Sequence, residues 1–128
     1  MGFQKQWVNQ LTGRPKLSEV EFITFRWPRR DRDWEVGEIV QVVIRPRTKE
    51  RIPLGEAAII SKEPRSLNSK PNLLIIDSEA MMDGFPNADA LREFLRHTYK
   101  ALLVVHRLTL QWKVRYPTCP RIEMQNVK

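Results

Sequence analysis

A short segment of the sequence combines arginine and tryptophan in a pattern suited to binding phosphates and bases. Four arginines and two tryptophans fall within nine residues: Arg26, Trp27, Arg29, Arg30, Arg32 and Trp34. Guanidinium groups form paired hydrogen bonds with phosphate, and indole faces stack on nucleobases. The composition therefore predicts contact with nucleic acid. The same segment also fits a solvated loop, in which Asp31, Asp33 and Glu35 neutralise the arginines and the tryptophans fill the end of a barrel.

The charge of the whole chain points in the same direction. The sequence has 22 Lys and Arg against 15 Asp and Glu, a formal net charge of +7, and basic domains often bind phosphates. Two further basic clusters lie at a predicted hairpin tip and on the last predicted strand: Arg45, Arg47, Lys49 and Arg51, and Arg107, Lys113 and Arg115. Each is equally consistent with phosphate contacts and with a charged surface that keeps a sheet end soluble.

Other classes of protein are disfavoured by what the sequence lacks. Cys119 is the single cysteine, so no intrachain disulfide can form. The two histidines, His97 and His106, belong to no cluster with metal-ligand spacing, and we expect no metal and no cofactor. No run approaches the roughly 20 apolar residues of a membrane span, and the first residues lack the apolar core of a signal peptide. We therefore expect a cytoplasmic chain without membrane contact.

The elements that position these residues follow from periodicity and turn chemistry. The 128 residues fit one domain, with a core over about 10–116 and a tail over 117–128. Apolar spacing predicts a short helix before Gly13 and Pro15. Strands are predicted at 20–26, 38–45, 55–61 and 107–115, with a loop at 64–71. Asp77 and Asn87 are the predicted N-caps of two helices, the first ending at Gly84.

The order of these elements predicts an α+β fold with a small, partly closed β-barrel and short flanking helices. The last strand alternates cleanly, with Leu108, Leu110, Trp112 and Val114 on the face predicted to be core. Its other face is polar and basic. The barrel is therefore expected to have one apolar side and one wet side.

Three short motifs occur in the order typical of one family. They are a Thr-x-Arg strand, a hydrophobic-Gly-acid entry into the next strand, and an acid-Gly-Phe step between helices: Thr24-Phe25-Arg26, Val36-Gly37-Glu38 and Asp83-Gly84-Phe85. Over residues 10–116 the chain resembles the ASCH domain of the PUA-like class. The resemblance implies a PUA-like barrel whose cleft, lined by Thr24, Arg26 and Asp83, binds a nucleotide or nucleic acid, with RNA preferred over DNA.

The resemblance also raises the question of catalysis. Some bacterial ASCH proteins are small amidohydrolases of acylated cytidines, and the resemblance implies a Lys, Thr and Glu set. Thr24 and Asp83 match two positions, but Glu21 stands where the lysine belongs. A threonine hydroxyl is a poor nucleophile without a base, although Lys16 could act if burial lowered its pKa. A binding module is therefore favoured. The alternative is a hydrolase of a modified nucleoside or RNA, with candidates Thr24, Asp83, Glu21 and Lys16; a partner-binding adaptor is a third reading.

Overall fold

A computed structural model describes residues 1–3, 7–29, 31–44, 51–67, 73–98 and 104–116. The strands are β1 (Gly2–Phe3), β2 (Glu21–Arg26), β3 (Ile39–Ile44), β4 (Ile52–Ser66) and β5 (Val104–Arg115). The helices are α1 (Asp77–Asp83) and α2 (Ala88–Thr98), and a 3-10 turn covers Lys16–Ser18. The α+β class predicted from the sequence is confirmed, with a curled, half-barrel sheet that fits a partly closed barrel. Within the described ranges, neither helix has the length and apolar character needed to cross a membrane.

The sheet has the strand order β1-β3-β4-β5-β2. The β1–β3 pair is parallel and the other pairs are antiparallel. Register shifts interrupt the β3–β4 and β4–β5 ladders, and such bulges bend a sheet and increase its twist. The curl brings the two edge strands close to each other. Arg26 Nη2 on β2 donates to the Gly2 carbonyl on β1 over 2.8 Å. A side chain thus spans the gap between these two edges.

Each face of the sheet packs against its own apolar cluster. The inner face, which carries Phe22, Thr24 and Arg26 of β2, packs with the aliphatic residues of the other strands. Ile59, Leu108 and Leu110 are fully buried there. The outer face carries Ile23 and Phe25, which pack with the buried residues of α1 and α2. The predicted core positions of β5 are therefore confirmed at Leu108 and Leu110.

The predicted N-terminal helix is wrong for the residues described. Residues 7–15 form turns closed by a bridge between Val8 and Pro15. The Asn9 side chain accepts hydrogen bonds from the N–H groups of Leu11 and Thr12. Asparagine competes in this way with helical backbone bonding. The regularly spaced apolar residues do not share one helical face, because Phe3 belongs to β1 and the others lie in the turns over 7–15.

The later elements differ from the prediction in several places. β4 continues through Pro64, which the sequence predicts to lie in a loop. The described β3–β4 ladder ends at Ala58, so Pro64 pairs with β5 on one side and needs no N–H for a strand on the other. Asp77 lies inside α1, and its carboxylate accepts from the Ala88 N–H at the start of α2. β5 begins at Val104, and Val114 near its end is exposed.

Other features of the helices agree with the prediction. Asn87 accepts a hydrogen bond from the Ala90 N–H and so caps α2, and Gly84 ends α1 at a φ of 109°. Several sequence features lie outside the described residues: Arg30, the hairpin tip with Arg45, Arg47 and Lys49, the second half of the 64–71 loop, Cys119 and the 117–128 tail.

Candidate ligand-binding site

A buried ion pair joins the start of the chain to the end of α1. Lys16 Nζ donates to Asp83 Oδ1 over 2.5 Å, and the two residues are only 1% and 6% exposed. The turn that carries Lys16 is held in place by backbone hydrogen bonds. The Lys16 N–H donates to the Trp7 carbonyl, and the Gln10 N–H donates to the Met81 carbonyl on α1. The loop over 7–15 therefore places the ammonium group against the last residue of α1.

Burial strongly perturbs both members of this pair. It lowers the pKa of Lys16, although Asp83 opposes the change, and it raises the pKa of Asp83, although Lys16 opposes that change. The positive charge of Arg26 makes a smaller contribution to both: it adds to the lowering of the Lys16 pKa and opposes the raising of the Asp83 pKa. A buried pair is weak evidence for stability, and strongly perturbed groups tend to cluster at functional sites.

Two residues of β2 complete the cluster. Arg26 Nε donates to Thr24 Oγ1 over 3.2 Å, and Thr24 is buried. The Phe3 ring lies beside both cations, with its centroid 4.7 Å from Arg26 Cζ and 4.9 Å from Lys16 Nζ. The structure thus brings together four residues that the sequence named as candidates: Lys16, Thr24, Arg26 and Asp83. We call them the charged cluster.

Glu21, the remaining catalytic candidate, does not belong to the charged cluster. It is exposed, and it alternates with Phe22 and Thr24, so its side chain projects from the other face of β2. The lysine of the charged cluster is Lys16, whereas the resemblance predicts a lysine at position 21. Lys16 and Asp83 are 67 residues apart in the sequence, and no local spacing rule connects residues at that separation.

The arginine- and tryptophan-rich segment has a different arrangement from a base-stacking surface. Trp27 and Trp34 are each 8% exposed and pack in the core, and Trp34 Nε1 donates to the Trp27 carbonyl. Arg29 stacks on the Trp34 ring and forms an ion pair of 2.6 Å with Glu38, which also lies 3.8 Å from Arg32. Trp34 belongs to the inner cluster and Trp27 to the outer cluster beside the helices, so both are core residues, and only Trp34 fills the inside of the curled sheet. In the described part of the chain, Glu38 is the acid paired with Arg29 and near Arg32. Backbone hydrogen bonds and the charges of the same two arginines lower the pKa of Asp31.

The other two basic clusters are also largely engaged within the protein. Arg107 forms ion pairs with Glu63 and Glu79. Arg115 donates to two backbone carbonyls, and Lys113 donates to Gln111. Of the hairpin-tip cluster, only Arg51 is described, and it donates to Gln41. These contacts therefore do not single out Arg107, Lys113 or Arg115 as a ligand contact.

Within the described residues, no three His, Cys, Asp or Glu side chains come together as a metal site. Comparison with protein-family models, curated proteins and solved structures found no match to the chain. The charged cluster and the fold are thus the observations from which a function must be argued.

Proposed function

We propose that the chain is a PUA-like module of the ASCH type that binds a nucleotide or nucleic acid, with RNA as the expected partner. The observation that carries this proposal is the charged cluster. Lys16 pairs with Asp83, and a second cation, Arg26, donates to the buried Thr24 and shares the Phe3 ring with Lys16. Charges at such a depth are often no more stabilising than apolar side chains of the same size. Their presence favours a role in binding.

Arg26 is the residue through which a ligand is expected to make contact. It is partly exposed, whereas the other three members of the cluster are buried. Its planar guanidinium group carries five N–H donors, a type of group suited to phosphates and to base edges. Two of its nitrogens already donate to Thr24 and to the Gly2 carbonyl, which fixes the orientation of the group. The burial of Trp27 and Trp34 shifts the proposed contact from base stacking on the loop to hydrogen bonding and charge at Arg26.

Fluorescence anisotropy with short labelled RNA and DNA strands tests the proposal. With about two phosphates contacted, the slope of affinity against salt is about −1.4, so affinity falls about sevenfold between about 50 and 200 mM salt. Arg26→Gln should weaken binding about tenfold or more, since hydrogen bonds to charged groups contribute about 1.5–3 kcal/mol. Arg14→Gln is the matched control, because Arg14 is exposed. Undetectable binding at low salt, or equal losses in both variants, would contradict the proposal.

A second candidate function, hydrolysis of an acylated cytidine, is favoured by one observation. Lys16 supplies, next to Asp83, the amine that position 21 lacks, and burial lowers its pKa toward the range of a useful base. Chromatography of acylated cytidines incubated with the protein would detect deacylation. Turnover that is lost in Thr24→Val and in Lys16→Met, but kept in Arg14→Gln, would establish the hydrolase. Absence of turnover leaves the binding module.

A further inference from the structure

Three basic side chains lie on the inner face of three neighbouring strands. Arg26 of β2 is the register partner of His106 on β5, and His106 is in turn the partner of Pro64 on β4, two residues from Lys62. Residues opposed across antiparallel strands project from the same face, as do residues two apart in one strand. Arg26, His106 and Lys62 therefore share the face that carries Thr24. We call these three side chains the basic row.

One carboxylate joins two members of the basic row. Lys62 Nζ donates to Asp33 Oδ2 over 2.8 Å, and His106 Nδ1 lies 4.0 Å from the same oxygen. That separation is too long for a hydrogen bond. The Nδ1 atom is buried, and it has no hydrogen-bond partner in the described part of the chain. Buried polar atoms without a partner are costly, so His106 is not satisfied by the contacts present.

We propose that the basic row binds a phosphate group of the ligand, with His106 taking up a proton when the phosphate binds. This inference rests on the proposed function and deepens it, because it names the chemical group that the site recognises. A phosphate offers acceptors for the fork of Arg26 and the point charge of Lys62. The doubly protonated imidazole directs Nδ1–H to Asp33 and Nε2–H to the phosphate. The proton gained on binding thereby gives the buried Nδ1, which has no partner among the described residues, a hydrogen to donate to Asp33 after a shift of about 1 Å from the present 4.0 Å.

The surroundings of His106 set the direction of the coupling. Burial lowers its pKa, and the charge of Lys62 lowers it further, while Asp33 raises it. The charged groups that act on it are Lys62 from β4 and Asp33 from the segment before β3. Arg26, its register partner on β2, directs its guanidinium group toward Gly2 and Phe3 of β1. Without a bound phosphate, these effects favour the neutral imidazole of His106. A bound phosphate favours the imidazolium, so affinity should rise as pH falls through the pKa of the bound state.

Imidazole NMR tests this proposal directly, because the chain has only two histidines. His97 on α2 is exposed and serves as the internal control. The pH titration of both C–H resonances is recorded alone, with inorganic phosphate, with adenosine 5′-monophosphate and with short RNA. We expect the pKa of His106 to rise by about one unit or more with phosphate groups, the usual effect of an opposite charge within a few ångströms. Resonances of His106 that respond to none of them, or no more than those of His97, would overturn the proposal.

Two variants separate this inference from the proposed function. His106→Gln should weaken binding of the monophosphate more at about pH 6 than at pH 8, whereas His97→Gln should change neither, since only a titrating contact depends on pH. If RNA binds in an Arg26-dependent manner while His106 stays unresponsive, the assignment of a phosphate site to the basic row is wrong and the binding module stands. If inorganic phosphate shifts His106 but nucleotide and RNA bind no better than phosphate, the row stands and the proposed function fails.

Discussion

Removing the charge of Asp83 should be among the most damaging single changes in this chain. The Asp83→Asn substitution keeps the size of the side chain but leaves the Lys16 ammonium, 1% exposed, without its counter-charge. Breaking a buried pair from one side costs about 3–5 kcal/mol. A small domain is stable by about 5–15 kcal/mol, so this substitution alone consumes a large part of the stability.

The double substitution Lys16→Met with Asp83→Leu should recover most of that loss. Both charges are then replaced by apolar groups of similar volume, and such replacements are often neutral or stabilising by about 1–4 kcal/mol. The double variant and its two component single variants, Lys16→Met and Asp83→Leu, are unfolded with urea alongside Asp83→Asn and followed by tryptophan fluorescence. The free energies of the first three are compared with that of the natural chain in a double-mutant cycle. The double variant keeps the test informative even if Asp83→Asn does not fold.

The pH dependence of the same cycle gives an independent check. Burial raises the pKa of Asp83 above 3.8, so the folded state holds an extra proton and stability falls as pH rises through that window. Burial lowers the pKa of Lys16 below 10.5, so stability rises again as pH approaches that value. The double variant should therefore gain most over the natural chain near neutral pH. The reasoning fails if Asp83→Asn costs less than about 1 kcal/mol, or if the two single losses simply add.

Two further substitutions test the packing around the site. Gly84→Ala should cost more than Gly37→Ala: both glycines have a positive φ, which costs about 1–2 kcal/mol for alanine, but only at Gly84 would the new Cβ lie 3.0 Å from Trp7 atoms. Equal urea midpoints for the two variants would contradict this packing. Glu79→Gln should cost about 1.5–3 kcal/mol at neutral pH through its bonds from Arg65 and Arg107. Burial by itself raises the pKa of Glu79, but those bonds outweigh it and lower the pKa below 4.5, so the difference from the natural chain should shrink as pH falls below that value; a pH-independent difference would refute the assignment.

The elements that could be predicted are those whose signals lie within a few residues. β2 and β3 agree with the predicted strands within two residues at each described end, because runs of β-branched and aromatic residues favour strands locally. Gly84 and Asn87 act as predicted because a left-handed C-cap and a side-chain N-cap are properties of single positions. The N-terminal helix failed because its apolar spacing reports two unrelated tertiary contacts.

The site divides in the same way. Thr24, Arg26 and Asp83 were named from short motifs, and the structure brings them together with Lys16. Whether the two loop tryptophans are exposed for base stacking or buried could not be predicted from composition. A tryptophan that stacks on a base and one that packs in a core look the same in the sequence. Their burial, at 8% exposure each, depends on tertiary packing: Trp34 lies in the inner cluster of the sheet and Trp27 in the cluster that the sheet forms with the helices.

The sequence by itself determined the α+β class, the positions of most strands and both described helices, and a basic chain with a Thr-x-Arg strand. These properties depend on side-chain periodicity, turn residues and charge, which are set by residues close together in the sequence. Only the tertiary structure decided that Lys16 pairs with Asp83, that Arg26 spans two sheet edges, and that His106 lies with Lys62 at Asp33. Each of these contacts joins residues far apart in the chain. The turn over 16–18 packs Lys16 against α1, the curl of the sheet brings the edge strands β1 and β2 together, and the pairing of β4 with β5 sets Lys62 beside His106.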